Sequence, residues 1–183
     1  MSVYFETGRL LLRGWRDEDL APFAAMNADA RVMKHHPAHL TANKSDAFAE
    51  RIQKGIDENG FGLFAVEVKA SQSFIGYTGL SQAEFAAPFT PAVEIGWRLA
   101  FDASGHGYAS EAATVCLAHG FSEGGLDEIV SFASVNNRRS IVVMERIGMS
   151  RCPDDDFEHP DLPAGHPLRR HVFYRIGAPI AAR

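Results

Sequence analysis

An α/β (α+β) domain built on a mixed sheet covered on both faces is the fold class this chain predicts, and three observations lead there. Its 183 residues are 46% hydrophobic, enough for one core that buries about 70% of the unfolded surface without a disulfide or metal staple. Apolar spacing switches along the chain between period two and period 3.6. The resulting order is strand, helices, three strands, helix, strand, helix, strand, which a mixed sheet with helical layers accommodates. One domain over residues 1–183 is the expectation.

Each element has a local reason. Residues 5–15 carry Leu10-Leu11-Leu12 between arginines and read as one strand. Asp17 or Asp19 then caps a helix whose apolar face holds Leu20, Phe23 and Met26. His36-Pro37 closes that region, because the residue before a proline avoids the helical well. Thr41 or Asn43 starts a second helix with Phe48, Ile52 and Ile56 every fourth residue, and Asn59-Gly60 stops it. Residues 61–68 and 74–81 are apolar, β-branched or aromatic around a polar break, the signal of a hairpin. After a loop bracketed by Pro88 and Pro91, Val93, Ile95, Trp97 and Leu99 alternate with Glu94, Gly96 and Arg98 as a third strand. From Ala109 the spacing turns helical, with Ala112, Ala113, Cys116, Leu117 and Phe121 in one stripe. Residues 128–135 read as a strand. Asn137 begins a helix carrying Ile141, Met144 and Ile147, with Gly148 just past its end. A stiff Pro/Asp/His-rich stretch, 153–167, precedes a last strand over 171–176.

Composition excludes several function classes. No apolar run approaches the ~20 residues that span a bilayer. Arginines and acids interrupt residues 1–16, so they do not read as a signal peptide. Two cysteines, Cys116 and Cys152, make no disulfide framework and imply a reduced, cytoplasmic setting. A net charge of −5 argues against nucleic acid as a partner, yet a small anion is allowed where cations cluster. The expected state is a monomer or homodimer.

The junction before the Ala109 helix is the most informative segment. Gly105-His106-Gly107-Tyr108 places two glycines at a helix start, where first-turn N–H groups lack intrahelical acceptors and suit an anion such as phosphate. No Gly-Lys-Ser/Thr follows, so it is not a Walker loop, and no third glycine completes a Rossmann fingerprint. An ordinary strand-to-helix turn is the bland alternative.

Three motifs in order decide against that alternative: residues 94–99, then Gly105-His106-Gly107-Tyr108-Ala109-Ser110-Glu111-Ala112, then Asn137-Arg138-Arg139-Ser140. Together with Thr7-Gly8-Arg9-Leu10-Leu11-Leu12-Arg13 they resemble the GNAT-superfamily N-acetyltransferases, most of all the RimJ/RimL-type branch. The resemblance implies a mixed, mostly antiparallel central sheet with helices on both faces. It implies acetyl-CoA as co-substrate, no metal, and an amine acceptor, either a protein N-terminus or a small amine. By the same resemblance, backbone amides from His106, Gly107, Tyr108, Ala109 and Ser110, with Gly105 beside them, hold the pyrophosphate. The strand at Trp97, Arg98 and Leu99 pairs with the pantetheine arm. Asp102 stands where the family's loop usually has Gln or Arg, which removes one contact to coenzyme A.

Acyl transfer needs a neutral amine, a stabilised oxyanion and a proton for the departing thiolate. The resemblance puts Glu94 beside the acyl site as a base acting through water, Ser140 as donor to the thiolate, and an N–H of the Trp97 strand at the oxyanion. As residues alone, Glu94 is a polar side chain on a half-buried strand, Asn137 a helix cap that also reaches cofactor, and Ser140 a first-turn residue. Met144 occupies the position of the tyrosine many relatives use as acid, so that acid is excluded. A non-catalytic acyl-CoA-binding module is therefore the alternative. Arg138 and Arg139 set cations against the helix dipole, which points to an anion nearby or to solvated, outward side chains. The acids and histidines of residues 154–171 fit no zinc spacing; they read as a solvated or acceptor-facing wall. His35, His36 and His39 approach the same cleft and read as structural or exposed.

Overall fold

The structure, a computed structural model, describes residues 2–179; Met1 and residues 180–183, the ends of the domain expected over 1–183, lie outside the described residues. The N-terminal strand expected over 5–15 is two strands, β1 (Val3–Glu6) and β2 (Leu10–Arg13). A turn closed by Thr7 N–H on the Leu10 carbonyl (3.0 Å) separates them. Helix α1 (Asp17–Ala28) follows, and its N-cap is Arg16, not Asp17 or Asp19. Asp19 instead accepts from the Arg16 N–H at 2.8 Å from inside the first turn. Helix α2 (Ala42–Asn59) starts at Thr41, whose side chain accepts from Lys44 N–H, and ends on Gly60 at φ 73°, a left-handed cap that glycine adopts without steric cost.

Strands β3 (Leu63–Val68) and β4 (Ser73–Gln82) form the expected hairpin, and β5 (Val93–Leu99) lies beside β4. Helix α3 (Tyr108–Ser122), strand β6 (Glu128–Ser134) and helix α4 (Arg138–Arg146) follow. Two short strands went unpredicted, β7 (Ser150–Arg151) and β8 (Phe157–Glu158); both pair with β9 (Arg170–Gly177). Two residues carry no readable period, so only the pairing with β9 defines them.

Among the described residues the nine strands form one sheet in the order β1-β2-β3-β4-β5-β6-β9-β7, with β8 also on β9. Every pairing is antiparallel except β5 with β6. Side-chain alternation assigns the faces. Ala65 lies opposite Tyr77, and Tyr77 packs with Phe23, Met26 and Ala49 of α1 and α2. Phe64 lies opposite Thr78 and meets Phe5, which meets His119 of α3. Helices therefore cover both faces. Ala112 and Ala113, wholly buried, let α3 lie close to the sheet.

One buried ionic cluster ties α1 to the sheet. The Arg13 guanidinium is 1% exposed; it donates to both Asp19 oxygens (2.7 and 2.8 Å), to Glu67 Oε2 (2.7 Å) and to the Gly14 carbonyl (3.1 Å). Glu67 also pairs with Arg16 at 3.1 Å. Removing one member of such a set leaves buried charges uncompensated. Arg13→Met is expected to lower unfolding free energy by about 3–5 kcal/mol in urea denaturation; a loss within experimental error would show that the cluster is replaceable.

Candidate active site

The site begins where β5 leaves β6. Seven residue pairs join β4 to β5, but only Glu94 with Val130 joins β5 to β6. Beyond it the strands part, and Ser131 Oγ spans the fork by donating to the Ile95 carbonyl at 2.9 Å. Two cavities occupy the opening, of about 560 and 390 Å³. They share His35, His36, Trp97, Asn137 and Ser140.

The larger cavity is built for an anion. Arg31, Arg98, Arg138, Arg139 and Arg146 line it, and no carboxylate does, in a chain of net charge −5. Its floor is the glycine turn, where Gly105 and Gly107 sit at φ 86° and 81°, values that strain any residue with a Cβ. The first helical bond of α3 is Glu111 N–H to the Gly107 carbonyl. The N–H groups of Tyr108, Ala109 and Ser110 thus precede it, and no side chain caps them. Ser110 Oγ is buried without a partner. A di-anionic phosphate chain fits these donors.

The turn is clamped from behind by a residue whose role was not legible. Arg9 donates to the His106 carbonyl at 2.9 Å and to Glu111 Oε2 at 2.7 Å, and its guanidinium lies 4.6 Å from the Tyr108 ring centre. Thr7 Oγ1 reaches Glu111 as well, at 2.5 Å. Glu111 would repel an anion at this helix start, and Arg9 neutralises it.

Of the predicted cofactor residues, Trp97, Arg98, Leu99, Gly105, Gly107, Tyr108, Ala109, Ser110, Asn137 and Arg138 all line the larger cavity. His106 does not; its ring stacks on Tyr108, 5.6 Å between centres. Asn137 caps α4 by accepting from Ser140 N–H at 3.3 Å. Arg139 and Arg31 lie over the two-sided Phe101 ring at 5.0 and 4.3 Å. Arg31, Phe101 and Arg146 were not expected. Arg146 repeats the helical spacing of Arg138 and Val142, which was the available signal.

The smaller cavity has the opposite character. Glu94 and Asp161 line it, and no Lys or Arg does. Burial pushes the Glu94 carboxyl up to about 8; among the described residues it has no hydrogen-bond or ionic partner. Ser134 Oγ is buried there and unpartnered. His159 and His171, with ring centres 5.2 Å apart, are held below the usual imidazole range by burial. Phe132 and, from the β4–β5 loop, Phe85 pack around them. Most acids expected to face an acceptor are otherwise engaged: Asp155 pairs with Arg175, Asp156 with Arg151 and Glu158 with Arg169. Among the described residues no group of three His, Cys, Asp or Glu is placed to hold a metal.

The sequence profile of the acetyltransferase (GNAT) domain family matches residues 9–150. The chain belongs to the GNAT acetyltransferase family. The GNAT fold recurs in the Bacillus anthracis acetyltransferase of that family, at TM-score 0.78 and 27% identity over 94% of this chain and 97% of that one. A Bacillus subtilis relative, the uncharacterized N-acetyltransferase YnaD, is 29% identical over 95% of this chain and 96% of its own length. RimJ of Mycobacterium smegmatis, solved with a coenzyme A disulfide, shares the fold at TM-score 0.73 and 18% identity over 92% of this chain and 82% of that one. As in other GNAT domains, the sheet is mixed and mostly antiparallel. No helix of the described residues is long and apolar enough to cross a membrane.

Glu94 makes a prediction independent of substrate. Its ordinary value is 4.5 and its folded value about 8. Between those values the folded protein holds a proton that the unfolded chain has released, so stability falls as pH rises through that window. Glu94→Gln, which mimics the neutral acid, is expected to raise Tm near pH 9 and leave it almost unchanged near about pH 5. Calorimetry at both values checks this; an equal effect at each would place the carboxyl in water.

Proposed function

We propose that this GNAT domain, over residues 1–183 in a reduced cytoplasmic setting, transfers the acetyl group of acetyl-CoA to a primary amine by direct attack in a ternary complex. The amine is a protein N-terminus or a small amine. The observation that carries this reading is the meeting of an arginine-lined cavity with a carboxylate-lined one at Trp97, Asn137 and Ser140. An anionic co-substrate and a cationic ammonium are thereby drawn to opposite sides of one junction.

Acetyl-CoA supplies the activated acetyl group as a thioester. The N–H groups after Gly107 and the arginines of the larger cavity hold its phosphates. The edge of the 97–99 stretch that faces away from β4 supports the pantetheine amides, since β5 has no partner strand on that side. Glu94 takes the amine proton, directly or through water. An incoming ammonium supplies the counter-charge Glu94 lacks in the free protein, which lowers its proton affinity as the substrate arrives. Ser140 offers the hydroxyl nearest the junction, half-buried with no hydrogen-bond partner among the described residues, as donor to the departing thiolate. Met144, wholly buried, donates nothing. That absence favours the alternative of a non-catalytic acyl-CoA-binding module, in which coenzyme A binds without thiol release for any amine.

Turnover with acetyl-CoA and a panel of amines separates these readings. Glu94→Gln is expected to lower kcat by roughly 10²–10⁴-fold with acetyl-CoA affinity nearly intact; wild-type kcat across the pH range would remove Glu94 from the chemistry. Gly107→Val is expected to fold and to lose most acetyl-CoA affinity, because a β-branched residue cannot hold φ 81° without strain and shifts the turn that presents the N–H groups to phosphate. Calorimetry showing unchanged binding in a folded Gly107→Val protein would sink the phosphate assignment.

A further inference from the structure

His36 lies where the two cavities meet and has no assigned part. It ends the short 3₁₀ turn Met33–His35 in extended conformation, φ −116° and ψ 148°, as a residue before proline must. Its Nδ1 lies 3.2 Å from Arg98 Nη2. A guanidinium has only donors, so Nδ1 accepts and the ring proton sits on Nε2. Arg98 is itself fixed: Nη1 donates to Asn27 Oδ1 at 2.7 Å, and Asn27 Nδ2 donates to Ser45 Oγ at 2.8 Å. Asn27 and Ser45 are both 0% exposed. Strand β5, α1 and α2 thus converge to set one tautomer and one orientation of this imidazole. Its Nε2 has no partner among the described residues and is not fully buried, on a side chain that lines both cavities of the fork.

The charge state follows from the neighbours. Arg98 on β5, His35 on the same turn, and Lys44 and Arg51 of α2 across a shallow outer cavity surround His36 with cationic or basic groups. Glu94 and Asp161 face it only across the acceptor cavity. Burial, then Arg98, then His35 push the imidazole down to about 3, which favours the neutral ring at neutral pH. A neutral Nε2–H is a fixed dipole that does not surrender its proton to an amine and does not repel an incoming ammonium.

We infer that His36 is a catalytic residue whose Nε2–H donates to the acetyl carbonyl oxygen, supplying a side-chain hydrogen bond that strengthens as that oxygen becomes an oxyanion. This rests on the acetyl-transfer reading above. No proton leaves His36: the amine nitrogen bonds to the carbonyl carbon, the oxygen gains charge against Nε2–H, the carbon–sulfur bond breaks, and the thiolate takes its proton elsewhere. Donors aimed at developing charge in a water-poor site contribute roughly 10²–10³-fold each.

Two measurements test it. In the free protein, labelled-imidazole NMR, with the His36 signal assigned by its loss in His36→Gln, is expected to show a neutral Nε2-protonated ring that does not titrate between about pH 5 and 8. A ring that titrates there or is protonated at Nδ1 overturns the inference without reference to any ligand. In the complex, the ¹³C-labelled carbonyl stretch of bound acetyl-CoA is expected to lie below that of free acetyl-CoA, and to return toward it in His36→Ala. In the same variant kcat falls about 10²–10³-fold while acetyl-CoA affinity by calorimetry stays nearly unchanged. Intact binding with an unmoved stretch and wild-type kcat overturns the role of His36. Failure of the wild-type protein to bind acetyl-CoA overturns the functional reading instead. Should His36→Ala not fold, His36→Leu, which also lacks a donor, and the wild-type NMR measurement carry the same outcomes.

Discussion

β5 and β6 meet at one residue pair, Glu94 with Val130, and then part, and nearly every functional feature depends on that separation. A parallel pair that stayed together would satisfy the β6-facing backbone groups of the 97–99 stretch, whose other edge pairs with β4, and leave no room between the strands. The fork leaves those groups needing another partner, and it opens both cavities. Ser131 Oγ on the Ile95 carbonyl marks where pairing gives way to space. The starts of α3 and α4 sit at the open end: α3 brings uncapped first-turn N–H groups, whereas α4, capped by Asn137, brings Arg138 and Arg139 to the same volume.

Charge is partitioned across this fork. Five arginines line one cavity and none lines the other, whereas Glu94 and Asp161 line the second. The arginines are spread over the chain after α1, β5 and along α4, so no local run of basic residues announces them. Other charges are neutralised in place: Glu111 by Arg9 behind the phosphate turn, and three acids of the 153–171 segment by Arg151, Arg169 and Arg175. Among the described residues, what remains without an ionic partner around the junction is an isolated carboxyl on one side and the guanidinium groups of Arg98, Arg138, Arg139 and Arg146 on the other, Arg31 being paired with Asp29.

Much of this was readable from residue order because local rules and global fold agree. The α2 cap at Thr41, the β3–β4 hairpin, the alternation of β5 and the glycines before α3 each follow from near neighbours in sequence. The misses have a common origin in distant partners. Asp19 looks like a cap until Arg13 is known to lie beneath it. β7 and β8 exist only through pairing with β9. Arg9 belongs to the phosphate turn through Glu111, 102 residues away, and His36 gains its meaning only from Arg98, Asn27 and Ser45. Histidines before a proline look structural from sequence, because tautomer and charge state are properties of surroundings that a single sequence does not display.

Two titratable groups with opposed proposed tasks face each other across the smaller cavity, and environment distinguishes them. Both Glu94 and His36 are half-buried, and burial in each case favours the uncharged form. In the proposed reaction that means, for the carboxyl, a proton it gives up once a cation arrives, and for the imidazole, a donor that keeps its state. Burial alone would leave both inert. The difference lies in the partner each is given: Glu94 has none among the described residues, so its charge is decided by the substrate, whereas His36 has Arg98 held by Asn27, so its charge is decided by the fold. The proposed reaction, in which the acceptor binds as a cation and attacks as a neutral amine, uses one group of each kind. Placing the responsive group on the acceptor side and the fixed one where the cavities meet keeps the acyl environment constant while the amine changes protonation.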